Sequence, residues 1–169
     1  MIKDEVRLRR LAVTDKKVIA GLCNNKKISD NLRDSFPFPY SEKDAENFIY
    51  RSLSENAEDT FGITYNGELA GVIGLIRQKD VYRLSAEMGY WIGEPYWGKG
   101  VATTAVKMIV EYAFERLPLL RIYAGVFDYN KASQKVLEKA GFKLDCIMEK
   151  AIIKNDVICD EYRYSIVKK

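Results

Sequence analysis

Residues 93–100 read Gly-Glu-Pro-Tyr-Trp-Gly-Lys-Gly, and a helical pattern follows them directly. The run contains G-x-x-x-x-G-K, but a nucleotide-triphosphate loop needs a hydroxyl residue next to hold magnesium. Here that residue is Gly100. The dinucleotide fingerprint also fails, because its third small residue would be Thr103. The sequence therefore disfavours a nucleotide triphosphatase and lacks a dinucleotide motif.

The same turn has the physical properties of an anion site. A helix begins with backbone N–H groups that have no partner inside the helix, at the positive end of its dipole. Gly98 and Gly100 remove side chains that would keep a phosphate away from these donors, and Lys99 adds a cation. We predict that the turn binds a phosphate-bearing cofactor without a metal ion. The alternative is an ordinary strand-to-helix turn, for which two glycines are adequate.

A meander of strands is predicted before this turn and a long helix after it. Residues 60–65 and 69–76 flank Asn66-Gly67, a pair that favours the positive φ values of a type I′ hairpin turn. Residues 84–93 continue as a third strand. Residues 100–117 place apolar side chains at helical spacing, and a proline follows them.

The segment before the meander predicts a strand and two helices. Residues 6–11 alternate apolar and charged side chains, as a half-solvated strand does. Helical stripes follow Asp15 and Ser41, both suitable N-caps. Two prolines in residues 35–40 exclude a helix between them.

The segment after the long helix completes the fold prediction. Residues 120–127 predict a strand, residues 131–140 a helix that ends at Gly141, and residues 142–167 a hairpin around Asn155-Asp156. The order β-α-α-β-β-β-α-β-α-β-β predicts a single α/β (α+β) domain over residues 1–169. Its mixed sheet has about seven strands, flanked by about four helices.

The composition narrows the classes of function. Of 169 residues, 47% are hydrophobic and 30% charged, which is typical of soluble globular proteins. Lys and Arg number 27 against 24 Asp and Glu, and the net charge of +3 is too small to indicate nucleic-acid binding. No apolar run reaches the roughly 18 residues of a membrane span, and the first residues lack a signal core. We expect a cytoplasmic protein with no nucleic-acid or membrane partner.

The absence of histidine is more informative. It removes Ser-His-Asp and Cys-His nucleophilic catalysis and almost all histidine-ligated metal chemistry. Acid–base work must fall to carboxylates, Tyr, Ser, Lys or water. The three cysteines contain no C-x-x-C pair, so we expect no metal site.

The closing hairpin also tests the cysteines. If Asn155-Asp156 is a two-residue turn, Cys146 faces Ser165 and Cys159 faces Ile152. The two thiols would then be out of register for a bridge, which predicts free thiols.

Several motifs together resemble the GNAT family of N-acetyltransferases, which bind acetyl-CoA pyrophosphate in this loop. Residues 97–102, Trp-Gly-Lys-Gly-Val-Ala, are similar to the signature [QR]-x-x-G-x-[GA]. Trp97 departs at the first position, but an aromatic residue there resembles the RimJ/RimL branch, which includes ribosomal-protein N-terminal acetyltransferases. The branch is also similar in three further runs: residues 36–40 (FPFPY), residues 86–92 (AEMGYWI), and Asn130-x-x-Ser133 followed by residues 137–142 (LEKAGF).

The resemblance assigns residues to acetyl-CoA and to the acceptor. Backbone groups of Tyr90, Trp91 and Ile92 would pair with the pantetheine arm and the acetyl carbonyl where the third strand splays from its neighbour. Asn130 would bind the pantetheine side, and the aromatic residues Phe38 and Tyr40 would contact the acceptor. The loop residues assigned to the cofactor are Trp97, Gly98, Lys99, Gly100, Val101, Ala102 and Thr103.

The general acid of the family departs from its usual form in this sequence. Many members place a Tyr seven residues after the motif's Asn to protonate the CoA thiolate, and Leu137 occupies that position. Ser133 resembles the replacement in ribosomal-protein acetyltransferases; the alternative is that it caps its helix. Glu87 alternates with apolar residues on the third strand and is either the base or a solvent-facing charge.

The leading interpretation is direct transfer of acetyl from acetyl-CoA to a primary amine. We favour the N-terminal α-amine of a ribosomal or other protein or peptide, whose pKa of about 7.7–8.0 leaves far more neutral amine at pH 7 than a lysine at about 10.4. Alternatives are a small amine such as a polyamine or an aminoglycoside, and a non-catalytic acyl-CoA-binding module. Homodimers are common among proteins that the sequence resembles.

Overall fold

The computed structural model describes residues 5–54 and 59–169. The strands are β1 (Val6–Arg9), β2 (Thr60–Tyr65), β3 (Glu68–Arg77), β4 (Ser85–Ile92), β5 (Arg121–Phe127), β6 (Lys143–Lys154) and β7 (Val157–Val167). The helices are α1 (Lys16–Cys23), α2 (Lys26–Ser29), α3 (Glu42–Ser54), α4 (Val101–Arg116) and α5 (Lys131–Lys139). The predicted order of strands and longer helices is confirmed. The single turn α2, which its Asn25 side chain caps, was not predicted.

The strands form one mixed seven-stranded sheet in the order β1-β2-β3-β4-β5-β7-β6, which confirms the predicted fold class. The pairs β1–β2, β2–β3, β5–β7 and β6–β7 are antiparallel, whereas β4 and β5 are parallel. A parallel pair requires a crossover, and α4 supplies it. No helix of the described residues is long and apolar enough to cross a membrane.

The contacts divide the chain into two compact units. The first unit contains the described residues up to Gly74 together with Tyr90–Ala105, and its core includes Ile19, Ala45 and Ile49. The second unit contains Leu75–Gly89 and Val106–Lys169. Its most deeply buried side chains include Val106, Ile109, Ile122 and Leu137.

A partly buried ion pair closes the β1–α1 connection of the first unit. The Arg9 guanidinium donates to both carboxylate oxygens of Asp15, at 2.8 Å each. Asp15 Oδ2 also accepts the Ala12 backbone N–H at 2.8 Å. The Arg9 hydrogen bond lowers the pKa of Asp15, whose side chain is only 10% exposed. Asp15, which was predicted to cap α1, makes no side-chain cap bond to that helix. Its carboxylate instead accepts the N–H of Ala12, the residue before the 3₁₀ turn Val13–Asp15.

The other predicted cap and the first hairpin turn are confirmed. Ser41 and Asp44 form a capping box at the start of α3, since each side chain accepts the other's backbone N–H. Asn66 and Gly67 have φ values of 51° and 88°, as a type I′ turn requires.

The register of the closing hairpin is confirmed near its turn and is wrong further along. Cys159 faces Ile152 as predicted, but Cys146 faces Arg163 instead of Ser165. Bulges between Met148 and Ile152 and between Leu144 and Cys146 shift the pairing. The three cysteines are free thiols, with Cys146 exposed.

We expect Asp15→Asn to lower the free energy of unfolding at pH 7 by about 1–2 kcal/mol, because Arg9 loses a charged partner. The pKa of Asp15 is lowered in the folded state. Its stabilisation is therefore complete above the unfolded pKa of about 3.9 and is lost as pH falls through the folded pKa. Denaturant titrations at pH 7 and pH 2 measure both effects, with the exposed Glu115→Gln as the control. An equal difference at both pH values would contradict the ion pair as the cause.

Candidate functional site

The loop between β4 and α4 is tied to the end of its strand. After one 3₁₀ turn at Glu94–Tyr96, the indole Nε1 of Trp97 donates to the Ile92 carbonyl at 2.7 Å. Gly98 and Gly100 both adopt φ of +74°, a conformation that side-chain-bearing residues rarely take. A Cβ built on either glycine would meet nothing within 4 Å. The backbone of the loop is therefore open to a ligand.

The start of α4 presents a row of backbone donors. The Thr104 N–H donates to the Gly100 carbonyl at 3.1 Å and is the first to bond in the helical pattern. Within residues 5–54 and 59–169, the N–H groups of residues 98–103 donate to no backbone carbonyl. Unpaired donors, a positive helix end and bare glycines fit a pyrophosphate group. The predicted cofactor residues Val101, Ala102 and Thr103 form the first turn of α4.

The Lys99 side chain has an aromatic setting. Its Nζ lies 5.5 Å from the ring centroid of Tyr65 and 5.8 Å from that of Tyr96. The Tyr96 hydroxyl in turn donates to Glu68 Oε2 at 3.1 Å. These contacts direct the Lys99 ammonium toward the β2–β3 hairpin.

The end of β4 approaches β3 very closely. A Cβ on Gly71 would lie 2.3 Å from the Trp91 carbonyl oxygen, so only glycine fits there. Tyr90 and Trp91 are half-buried, and Ile92 is buried. These three residues lie beyond the parallel pairs of β4 with β5, which join Ser85–Glu87 to Arg121–Tyr123.

The Asn-x-x-Ser motif forms the start of α5. Asn130 is the N-cap, and its Oδ1 accepts the Ser133 backbone N–H at 3.2 Å. Both residues are half-buried. The capping side chain is therefore Asn130, not Ser133. Leu137, at the position where the resemblance leads us to expect Tyr, is fully buried, so this helix places no acid there.

The predicted acceptor residues lie on a turn of the first unit and differ in exposure. Phe38 is 47% exposed, whereas Tyr40 is 6% exposed and stacks on Phe36 with ring centroids 4.7 Å apart. The Tyr40 N–H donates to Asn24 Oδ1 at 3.2 Å, and burial raises the pKa of its phenol. Of the two rings, Phe38 offers the larger surface to an acceptor.

One face of β5 in the second unit is open, although β5 lies between β4 and β7. Ile122, Ala124 and Val126 bury one face, and the alternating Tyr123 and Gly125 remain accessible on the other. Glu87 of β4 pairs with Tyr123, and Glu161 and Arg163 of β7 also lie on this side. We call this surface the open floor: Glu87, Tyr123, Gly125, Glu161 and Arg163.

Charges on the open floor are coupled. Arg163 donates from Nε and Nη2 to the same oxygen of Glu161, Oε1, at 3.1 and 2.5 Å. Its guanidinium carbon lies 5.3 Å from the Tyr123 ring centroid. Burial acts to lower the pKa of Arg163, but the hydrogen bond and charge of Glu161, with the charge of Glu87, raise it overall.

Glu161 and Arg163 of the open floor were not predicted as site residues from the sequence. The available signal was two opposite charges two residues apart on a strand, which places them on one face.

A separate cavity of about 580 Å³ is lined by Gly21, Leu22, Asn24, Asn25, Lys26, Glu94 and Pro95, none of them a predicted site residue. In the described part of the chain, no three His, Cys, Asp or Glu side chains are grouped to hold a metal.

Comparison with known proteins gives concordant matches. The model of the acetyltransferase (GNAT) domain matches residues 5–143. YdaF of Bacillus subtilis (strain 168), named as a candidate ribosomal N-acetyltransferase, is 35% identical over 108 residues, which cover 64% of this chain and 58% of YdaF. The spermidine N(1)-acetyltransferase of Escherichia coli (strain K12) is 30% identical over 141 residues, which cover 83% of this chain and 74% of that protein.

A solved structure agrees as well. The microcin C7 self-immunity acetyltransferase MccE, in complex with acetyl-CoA and AMP, superposes with a TM-score of 0.82 at 29% identity, covering 98% of this chain and 94% of that one. The chain spans less than two thirds of the length of three Bacillus subtilis relatives that it matches.

We expect Gly100→Asp to raise the Kd for acetyl-CoA at least about tenfold, which corresponds to about 1.4 kcal/mol. The substitution adds bulk and a like charge where a pyrophosphate would approach the backbone. Calorimetry measures the change. Gly67→Asp is a matched control, because that glycine also has positive φ and open space around its Cβ position. Equal affinity of the Gly100 variant and the wild type would place the anion site elsewhere.

Proposed function

We propose that this chain, which belongs to the GNAT family of acetyltransferases, transfers the acetyl group of acetyl-CoA to the N-terminal α-amine of a protein or peptide. The observation that carries the proposal is the start of α4. There, the N–H groups of residues 98–103 donate to no backbone carbonyl of the described residues, and two positive-φ glycines leave them accessible. In a chain without histidine, this site supports binding of a phosphate-bearing acyl donor and direct transfer.

The cofactor-binding roles follow from this placement. The N–H groups of residues 98–103 bind the pyrophosphate, with Trp97 fixing the loop through Ile92. The backbone of Tyr90, Trp91 and Ile92, beyond the last β4–β5 pair, binds the pantetheine arm. The family resemblance assigns Asn130 to the pantetheine side of the cofactor, and its cap bond to the Ser133 N–H fixes the orientation of its amide.

Acid and base are assigned to the second unit. Acetyl-CoA supplies a thioester whose acetyl carbon bonds to the amine nitrogen while its C–S bond breaks. Glu87 accepts the proton that the amine must lose, directly or through water. The Ser133 hydroxyl donates a proton to the departing sulfur and is reprotonated from solvent. No covalent bond to the protein is needed, which suits a chain without histidine.

The choice of an α-amine rests on proton availability. An α-amine is neutral in roughly a tenth of molecules at pH 7, whereas a lysine side chain is neutral in a few of ten thousand. One carboxylate base suffices for an α-amine, but it is poorly matched to a lysine side chain, which is almost always protonated. The likeness to YdaF and the exposed ring of Phe38 support a peptide acceptor.

A polyamine acceptor is the second candidate. It is favoured by the likeness to the Escherichia coli spermidine N(1)-acetyltransferase, which covers a larger share of this chain than the likeness to YdaF does. The two candidates share the cofactor site and the transfer chemistry, and they differ in the groups that hold the acceptor.

The acceptor test uses peptides that carry both a free α-amine and a lysine side chain, together with spermidine, in the presence of acetyl-CoA. We expect acetyl on the α-amine with at least about tenfold preference, because its neutral fraction is much larger. Mass spectrometry locates the acetyl group, and an N-terminally blocked peptide is the control. Turnover with spermidine alone would contradict the peptide acceptor. Thermal stabilisation without thiol release would indicate a binding module and contradict catalysis.

We expect Ser133→Ala to lower kcat about 10- to 100-fold with little change in the KM for acetyl-CoA, because thiolate protonation matters mainly in the transition state. Thiol release under saturating conditions measures kcat. Ser54→Ala, on the exposed end of α3, is the matched control. An unaltered kcat would assign proton donation to water.

A further inference from the structure

The carboxylate of Glu161 lies directly on the bare backbone of β5. A Cβ on Gly125 would come within 2.7 Å of Glu161 Cδ and Oε2, and within 2.9 Å of Oε1. Gly125 is itself exposed, whereas its neighbours Ala124 and Val126 are buried. The missing side chain thus makes room for a carboxylate at an accessible position in the middle of the sheet.

Arg163 orients this carboxylate without covering it. Both of its hydrogen bonds end on Oε1 of Glu161, and Oε2 takes no part in the ion pair. The guanidinium carbon also lies 5.3 Å from the Tyr123 ring centroid. The Glu161 side chain is 16% exposed, so its charge is partly desolvated and its position is fixed. A fixed, partly desolvated carboxylate attracts a cation more strongly than a freely solvated one does.

The five residues of the open floor carry a net negative charge, because they include two carboxylates, Glu161 and Glu87, and one guanidinium, Arg163. Their separation follows from the register. Glu87 pairs with Tyr123, and Gly125, under the Glu161 carboxylate, lies two residues further along β5. One strand spacing and two residues of rise place the two positions about 8 Å apart.

We propose that Glu161 binds a second cationic nitrogen of the acceptor while the reactive amine lies at Glu87. Arg163 and Gly125 are positioning residues that hold the carboxylate in place. The inference rests on the proposed acetyl transfer, with either of its two candidate acceptors, and refines the acceptor class: an amine with a second positive charge about 8 Å or less away. A polyamine has this arrangement, and so does a peptide with Lys or Arg as its second residue.

A purely structural role for the Glu161–Arg163 pair makes a different prediction. It would stabilise β7 and affect all acceptors alike, whereas a recognition role affects only acceptors with the second charge. The ratio of kcat/KM for the acceptor with a second charge to kcat/KM for the acceptor without it therefore separates the two roles. A general loss of stability does not alter this ratio.

The test compares kcat/KM for acceptors matched in size that differ by one positive charge. 1,4-Diaminobutane is compared with 1-aminopentane, and a Ser-Lys peptide with the corresponding Ser-Met peptide. We expect wild type to prefer the dicationic member of at least one pair about tenfold or more through KM. The pair that shows the preference identifies the acceptor as a small polyamine or a basic peptide.

Two variants test whether the Glu161 carboxylate causes the preference for dicationic acceptors, and a third variant is the control. Glu161→Gln keeps an oxygen for Arg163 but removes the charge, so it should abolish the preference by raising the KM of the dicationic acceptor, with kcat within about twofold. Gly125→Ala should act in the same direction, because its Cβ displaces the carboxylate. Glu115→Gln, an exposed carboxylate of α4, is the matched control and should retain the preference.

Equal KM values within both acceptor pairs in wild type would overturn the inference, as would a Glu161→Gln variant with an unchanged preference. If no amine releases thiol, the proposed function itself is contradicted. Calorimetry of 1,4-diaminobutane with wild type and Glu161→Gln, both saturated with acetyl-CoA, then decides the inference separately. Weaker binding to the variant would support it, and equal binding would overturn it.

Discussion

The first turn of any α-helix carries backbone N–H groups that the helix itself cannot satisfy. In α4 these donors follow two glycines with φ of +74°, and no side chain projects from either glycine to cover them. The loop that delivers the chain to this point is held by the Trp97–Ile92 hydrogen bond at one end and by the helix at the other. A negative ligand therefore meets donors that are already oriented, and little conformational entropy is lost when it binds.

Gly125, in the open floor of the second unit, has a different role from the glycines of the α4 loop. At the α4 loop, glycine leaves space for a ligand from outside the chain, whereas at Gly125 it leaves space for the chain's own Glu161 carboxylate. A strand inside a parallel sheet normally buries both faces, whereas a strand with an antiparallel neighbour can leave one face in water. β5 buries only Ile122, Ala124 and Val126, so polar groups on its other face keep contact with water. This is why two carboxylates and a guanidinium can lie in the middle of a sheet without the cost of full burial.

Much of the fold could be predicted because its signals are local. Asn66-Gly67 fixes a hairpin by its own φ preference, and the apolar spacing of residues 101–116 requires a helix. The register opposite Cys146 could not be predicted, because it depends on a bulge at Lys150. That residue has φ of 53° and donates its N–H to Asp160. Bulges are set by tertiary contacts, and a shift of one residue moves every later side chain to a new neighbour.

The candidate site, like the fold, has parts that could be predicted from the sequence and parts that could not. The glycine loop could be predicted because its properties belong to the backbone and follow from residue spacing. The Arg163–Glu161 pair could not, because its meaning depends on which residue of β5 lies beneath it. Lys99 is an example: its ammonium lies 5.5 Å from the Tyr65 ring centroid and 5.8 Å from that of Tyr96, a setting that its sequence neighbours do not predict. Side-chain direction at an exposed cation is decided by neighbours distant in sequence.

The absence of histidine constrains how acid and base are separated in this chain. A single imidazole can both accept and donate a proton near neutral pH, whereas a carboxylate and a hydroxyl each do only one of these well. In the proposed mechanism the two functions therefore lie on different residues and different elements, Glu87 on β4 and Ser133 on α5. Burial of Leu137 leaves the family's usual tyrosine acid without a counterpart in α5, and the Asn130 cap fixes the backbone of Ser133 one turn earlier. In the proposed transfer, a weak acid such as the Ser133 hydroxyl is adequate, because a CoA thiolate has the low proton affinity typical of thiols and leaves with little help.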